Sequence, residues 1–431
     1  MSEPNRAEPP DAHAIAEYRA RARAWLAENL ERRGPRSVAA TNFGAGDKSE
    51  DDIAAQRALQ RRLHEGGYAG ITWPVEYGGQ GLHPAFERSF HEEARAYLLP
   101  DLGLVGGATF AVCAPTMLAH ASPAFLRRHI PRILTGDELV AQFFSDPDAG
   151  SDLAAVRTQA VRDGDRWILN GSKIWSSGAY YADVGMCLAR TDWSVPKHRG
   201  LTWFAVPTRA PGVRIERIRQ INGNSEFCQE FFTDVGLYDG DVIGEVNDGW
   251  TVTQTMLLYE RGGGVTRGHG AGGVSKSGVA RDLLELARSA GARGDPEKRD
   301  LLARIHVDDL ARAALNRRLF ARMAADPKIA GNLASYSKLA SGVFDPLRAN
   351  RAMRIAGHIA IAWADDAGPG AATALALLNS RFLAIAGGTN EMQRNSIGER
   401  VLGLPREPSF DSRKPFRDVV RDARNWSGEV G

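Results

Sequence analysis

The chain has 431 residues, 43% hydrophobic and 25% charged, which is too long for one ordinary core and leaves room for two or three domains and a buried ligand pocket. Lys and Arg number 54 against 52 Asp and Glu, a formal net charge of +2, so nothing in the balance calls for nucleic acid or a membrane surface, and any anionic ligand must be held by local groups. Three isolated cysteines, Cys113, Cys187 and Cys228, include no pair at metal-ligand spacing, which argues against zinc and suits a reducing, cytoplasmic setting.

Residues Met1 to His13 are Pro-rich, acidic and polar, with neither the apolar core of a signal peptide nor an Arg-rich amphipathic pattern, so a disordered leader is expected. No run is expected to reach the ~18 consecutive apolar residues that span a bilayer. From Ile15 onward, Tyr18, Ala22, Trp25, Leu26 and Leu30 recur at helical spacing. Further helical patterns cover 53–66, 84–97 and 106–120, and a last one from Ser122 to Leu134 closes a helical region over residues 1–137. Between them, Trp73-Pro-Val-Glu-Tyr-Gly-Gly-Gln-Gly81 reads as a loop.

The character changes near Leu139. Short β-prone segments at 139–144, 166–171, 184–189, 201–206 and 229–235 predict a small antiparallel β domain over 138–245. Long helical patterns return after Trp250, at 251–279, 280–291, 297–325, 331–360 and 371–386, and predict a helical bundle over 246–431. An α, β, α order points to a helical array with a β domain inserted between its halves.

Four stretches carry candidate chemistry. Phe143-Phe-Ser-Asp-Pro-Asp-Ala-Gly-Ser-Asp152 ends the first strand in a turn rich in small polar side chains, but it lacks the acidic ladder of a calcium loop, since Gly150 and Arg157 fall on ligand positions. Gly171-Ser-Lys-Ile-Trp-Ser-Ser-Gly178 places a Trp before two hydroxyls in a β-like hairpin, a pairing that suits a planar heterocycle, although a Trp in such a hairpin is commonly plain core. Arg381-Phe-Leu-Ala-Ile-Ala-Gly-Gly-Thr-Asn-Glu-Met-Gln-Arg394 breaks an apolar run at Gly387-Gly388, where backbone can approach a ligand without a Cβ in the way. Finally, Glu260 extends the apolar stripe of Met256 and Leu257. A carboxylate there is costly unless it is paired or functional.

Together, Trp73–Gly81, Phe144–Asp152, Trp175-Ser-Ser177, Gly244-Glu-Val-Asn-Asp-Gly-Trp250 and Gly387–Arg394 resemble, in order and spacing, the acyl-CoA dehydrogenase family of flavoproteins over nearly the whole chain. The resemblance implies an N-terminal helical domain, a middle β-barrel-like domain and a C-terminal four-helix bundle that mediates oligomerisation as a homodimer or homotetramer. It implies FAD as cofactor, held by Phe143, Ser145, Trp175, Ser177, Thr389 and Glu391. It also implies an acyl-CoA substrate touched by Ser151 and Arg261, and an electron-transfer flavoprotein as acceptor. Some relatives keep the catalytic Glu immediately before the Gly-Thr of the C-terminal motif, a place held here by Gly387. In the subgroup that includes isovaleryl-CoA and long-chain enzymes, the base precedes an Arg on an early helix, as in Tyr259-Glu-Arg261. Glu260 is then the expected base for the α proton, with the Gly387 N–H polarising the thioester carbonyl.

Two features depart from the pattern. Asp146 stands where the family has Glu. Met353-Arg-Ile-Ala-Gly-His-Ile-Ala360 replaces a Gln and a Gly-rich loop that hold a neighbouring subunit's pyrophosphate; Arg354 could supply some contacts, and buried helix packing accounts for the apolar run. The altered loop leaves open a catalytically silent partner in a mixed oligomer, and the fold leaves open an oxygen-using oxidase or monooxygenase. The Gly-rich run 261–273 follows a helix and not a strand, so close helix packing is expected there in place of a dinucleotide fingerprint. A Gly-x-Ser-x-Gly elbow is absent from the sequence.

Overall fold

The computed structural model describes residues 10–33, 47–260, 280–326, 329–362, 368–409 and 411–424. The first helices are α1 (Ala12–Asn29), α2 (Glu50–Glu65) and α3 (Pro84–Ala94), followed by α4 (Gly103–Ala108) and α5 (Ala114–His120), which are joined by a π-helical turn at Thr109–Cys113, and then α6 (Pro123–Thr135). Local chemistry starts and stops them. Asp11 caps α1 by accepting from Ala14 N at 2.7 Å, and Ser49 and Asp52 form a reciprocal capping box on α2. Ser122 caps α6 with Pro123 in its first turn, and left-handed Gly136 ends it. Helix α1 begins three residues before Ile15, within the stretch expected to be disordered, because the Asp11 cap satisfies its first turn.

The helical stretch Gly103–His120 is, by length and composition, apolar enough to cross a membrane, although Thr109, Pro115, Thr116 and His120 interrupt its apolar run. Its apolar side chains are used in packing: Val105, Val112, Cys113, Ala114 and Met117 are buried in the core.

The middle of the chain forms strands β1 (Val140–Phe143), β2 (Gln159–Asp163), β3 (Arg166–Ser177), β4 (Val184–Arg190), β5 (Leu201–Pro207), β6 (Val213–Ile218), β7 (Phe227–Tyr238) and β8 (Val242–Ile243). They make one sheet in the order β6-β7-β3-β2-β4-β5-β8, with β1 paired to β4. Two details differ from the sequence reading. The β1–β4 pairing is parallel, Val140 opposite Val184, because the β2–β3 hairpin intervenes before the chain returns. The 171–178 segment is no hairpin: it continues β3 as one 12-residue strand antiparallel to β7, interrupted by register shifts at Leu169/Gly171 and Ile174/Ser176.

Helices then resume as α7 (Gly249–Leu258), α8 (Arg281–Ser289), α9 (Pro296–Ala325), α10 (Ala330–Ala356), α11 (Pro369–Asn379), α12 (Asn390–Arg400) and α13 (Phe416–Arg424). Leu283, Leu286, Ile305 and Ile355 bury the contact of α8, α9 and α10. One core joins the N-terminal helices, one face of the sheet and α7 through Leu26, Phe90, Met117, Ile130, Trp203 and Met256. A second core lies on the other face of the sheet and includes Phe143, Trp167, Phe204 and Phe232. The C-terminal segment returns to the β strands: Arg190 lies 4.1 Å from the ring centroid of Phe416, and Lys197 bridges Asp152 and Asp411 at 2.8 and 2.6 Å.

Candidate active site

Helix α7 is set by the sheet beneath it. Trp203 on β5, fully buried, donates its indole N–H to Gly249 O and Thr253 Oγ1, both at 3.0 Å. A Cβ on Gly249 would lie 2.7 Å from Leu201 O, so only glycine allows this approach. His120 at the end of α5 contacts Thr255 Oγ1 at 2.7 Å and holds the outer side. Val252 and Met256 fill the core, and one turn further, in a π-helical widening at Tyr259-Glu260, the carboxylate of Glu260 continues that buried stripe. Burial, and then the nearby Glu260 carboxylate, push the Cys113 thiol up.

The C-terminal motif meets Glu260 from the other side. Lys338 on α10 donates to Leu383 O at 2.5 Å. Gly387 and Gly388 take left-handed φ values of 67° and 88°, and Thr389 caps α12 by accepting from Met392 N at 3.2 Å. Gln393, 1% exposed, donates to both Gly387 O and Gly388 O at 3.1 Å, which pins the turn. Among the described residues nothing accepts from the Gly387 N–H. A Cβ built on Gly387 would sit 3.3 Å from Glu260 Oε1 and 3.4 Å from Lys338 Cε. Glu260 and Gly387 thus line one seam, and a larger side chain at 387 would occupy the space in front of the carboxylate.

A third wall comes from the sheet. Trp175 on β3 has φ 69° and is 58% exposed, so it is not core. A left-handed φ for a non-glycine residue costs roughly 1–3 kcal/mol and persists where the surroundings impose it. Its ring meets Phe227 edge-on at 6.3 Å, and Phe227 stacks on Phe382 at 5.6 Å, so an aromatic row runs from the strand to the start of the C-terminal motif. Ser145 and Ser177 are partly buried and share this neighbourhood of the ladder, with Ser145 O accepting from Ile174 N at 2.9 Å.

Asp146 has a structural task. It is 5% exposed and accepts from Lys173 Nζ at 2.6 Å, Thr158 N at 2.7 Å and Thr158 Oγ1 at 3.0 Å. Lys173, fully buried, also donates to Phe144 O at 2.8 Å. This pair ties the polar turn after β1 to the strand that carries Trp175.

Phe143 requires correction. It is fully buried among the core side chains on the far side of the sheet, 5.9 Å from the Phe232 ring, so its side chain cannot line a cofactor site; the residue on the helical side is Phe144, partly buried against the first core. Period-two alternation along β1 was the signal that separates them. Ser151 is exposed in its turn. Glu391 is exposed and pairs with Arg394 at 3.2 Å, the solvated helix arrangement. Arg261 and the Gly-rich run lie outside the described residues. Arg354 pairs with Glu297 at 2.5 Å on the surface, while Ile355, Ala356 and Ala360 are buried and the helix breaks at Gly357. Gln393 and Lys338 were not singled out from sequence: Gln393 carried a weak signal at one helical turn from Thr389, and Lys338 carried none. Among the described residues no cluster of three His, Cys, Asp or Glu side chains is arranged for a metal.

An exposed, conformationally strained indole beside Ser177, linked through Phe227 and Phe382 to the start of the C-terminal motif, fits a flat, polar-edged cofactor such as FAD. Comparisons with known proteins define the class. Models of the acyl-CoA dehydrogenase N-terminal, middle and C-terminal domains match residues 16–137, 141–235 and 247–402, and the chain belongs to the acyl-CoA dehydrogenase family. It is a FAD-dependent oxidoreductase of lipid metabolism acting on acyl-CoA. Among its relatives, acyl-CoA dehydrogenase IpdE1 of Mycobacterium tuberculosis is 36% identical over 91% of this chain and 98% of its own. Acyl-CoA dehydrogenase FadE34 of the same organism is 36% identical over 82% of this chain and 47% of its own. The solved Tcur3481-Tcur3483 steroid ACAD superimposes with a TM-score of 0.69 at 28% identity, covering 92% of this chain and 99% of that one. The ChsE4-ChsE5 complex from Mycobacterium tuberculosis gives 0.68 at 26% identity, covering 93% and 100%.

Proposed function

We propose that the protein introduces a trans α,β double bond into an acyl-CoA thioester, with Glu260 as the base. The observation that carries this reading is the position of the Glu260 carboxylate, 3.3 Å from the point where a Gly387 side chain would begin. Gly387 contributes backbone only: its N–H donates to the thioester carbonyl and stabilises the enolate-like charge that develops as the α proton leaves. Glu260 takes that proton on a carboxylate oxygen. Gln393 and Lys338 hold the turn, and a bound thioester excludes water from the seam, which strengthens Glu260 as a base. FAD, when bound, supplies the acceptor for the hydride leaving Cβ. Trp175 and Ser177 would hold its ring, Ser145 and the backbone of the following turn its pyrimidine edge, and Thr389 its adenosine end. Ser151 and Arg261 are assigned to the CoA arm, and an electron-transfer flavoprotein is the expected acceptor.

For the acyl group, the 28%-identical structure named as a steroid ACAD supports a ring-bearing substrate over short branched or long linear ones. Anaerobic bleaching of the bound flavin by a panel of the three kinds of acyl-CoA tests both points: ring-bearing thioesters should bleach fastest, and bleaching by none of the panel would sink the dehydrogenase reading. Oxygen consumption in turnover separates an oxidase. A second reading concerns assembly. Two similar solved structures are named for two chains each, which supports a mixed oligomer for this chain; a purified protein that is a flavin-loaded homodimer or homotetramer in light scattering would refute it.

A further inference from the structure

Glu230 on β7 is fully buried, and a carboxylate in such a place needs a reason. Ser176 Oγ donates to its Oε2 at 2.9 Å, while its Oε1 has no hydrogen-bond partner among the described residues. Lys173 lies opposite Glu230 in the β3–β7 ladder, but its ammonium is engaged by Asp146 and Phe144 O. Burial pushes the Glu230 carboxyl up to about 8, against smaller lowering by Ser176 and Lys173.

The register of β3 gives that reason. Strict alternation from Lys173, which points inward, would also turn Trp175 and Ser177 inward and Ser176 outward. Instead β3 carries an extra residue: Ile174 pairs with Gln229 and Ser176 with the adjacent Cys228, so Trp175 stands alone in a bulge with φ 69°. Past the bulge the faces exchange. Ser176 is 2% exposed, Trp175 is 58% exposed and Ser177 is only partly buried. A one-residue shift reverses every later side chain, so the bulge decides whether the indole and Ser177 face the cofactor or the core. The bond from Ser176 to Glu230 can form only in the bulged register.

We propose that Glu230 is a positioning residue that, by accepting from Ser176, holds the Trp175 bulge in the register that presents Trp175 and Ser177 to FAD. The inference rests on the assignment of those two residues to FAD in the proposed function, and it is independent of Glu260. The test is titration of the apoprotein of Ser176→Ala, Glu230→Val, their double variant, Glu230→Gln and Trp175→Ala with FAD. Flavin fluorescence quenching gives affinity, and apoprotein melting serves as a control. Loss of one buried hydrogen bond should weaken FAD binding roughly tenfold in Ser176→Ala and in Glu230→Val, with no further loss in the double variant. Glu230→Gln, whose amide oxygen still accepts, should stay within about threefold of the parent. The visible spectrum of bound flavin should shift in the first three and not in Glu230→Gln. Wild-type affinity in Ser176→Ala and Glu230→Val, or additive losses in the double variant, would overturn the proposal. Should Glu230→Val fail to fold, Ser176→Ala and Glu230→Gln decide alone. Unchanged affinity in Trp175→Ala as well places the failure in the assignment of the strand to FAD; weakened affinity there, with the others unchanged, refutes Glu230 specifically.

Discussion

Replacing Glu260 by Gln is the sharpest perturbation, because it changes basicity and almost nothing else. The amide matches the carboxylate in shape, so the close approach to Gly387, 3.3 Å from a Cβ there, is preserved. FAD and thioester binding should therefore survive. What is lost is a group able to take a proton. A positioned general base contributes about 100- to 10,000-fold, or roughly 2.7–5.5 kcal/mol at 1.36 kcal/mol per tenfold. Glu260→Asp should fall near the lower end, since removing one methylene retracts the carboxylate by about 1.5 Å, and a displacement of about 1 Å can cost about 100-fold. Two assays are needed: stopped-flow bleaching of the flavin by acyl-CoA without oxygen, and wash-out of α-deuterium from the thioester followed by NMR. Glu260→Gln should lose both while still binding the thioester. Bleaching at the parental rate, or α-exchange that persists unaltered, would show that another group takes the proton.

The other expectations concern the frame around that reaction. Gly387→Ala places a side chain at a φ of 67° and within 3.3 Å of Glu260 Oε1; it should lower stability by roughly 1–2 kcal/mol and slow flavin bleaching while FAD stays bound, and an unaltered bleaching rate would contradict the role of this turn. Lys173→Met strips the buried Asp146 of its cation, a loss of roughly 3–5 kcal/mol, so the melting temperature should drop sharply; a melting point unchanged by the substitution would show that the pair is replaceable. Glu230 gives a pH signature. Its folded value is raised from 4.5 to about 8, so the fold favours the protonated form. The resulting contribution is complete below about pH 4.5 and is lost as pH rises through about 8. The melting temperature of the parent relative to Glu230→Gln should fall between about pH 5 and pH 9, and a difference that stays flat would contradict a carboxyl protonated by burial.

Much of the architecture was legible because it follows from local rules. The Ser122-Pro123 pair starts a helix where periodicity placed it, Asp11 and the Ser49–Asp52 box start theirs within three residues of the predicted start, and Glu260 was found as a carboxylate on an apolar stripe. The two glycines of the C-terminal motif marked a place where backbone can approach without a Cβ, and both take left-handed φ there. Phe143 was misplaced since a motif names a stretch, whereas strand alternation decides which of two adjacent phenylalanines faces the helical side of the sheet. The Trp175 bulge was invisible: it depends on how β3 registers against β7, some 50 residues away, and period-two logic applied to β3 alone predicts the opposite face.

The sequence by itself determined the α, β, α order of the chain, which residues could carry chemistry, and that the place before Gly388 holds no carboxylate. Only the tertiary structure decided that Glu260 fills that place in space. The reason is physical: the Trp203 indole and the bare Cα of Gly249 seat α7 on β5, and Gln393 and Lys338 pin the Gly387 turn opposite its end. These contacts bring the Glu260 carboxylate beside the Gly387 turn, far from it in the chain, and no local pattern in either segment specifies that distance.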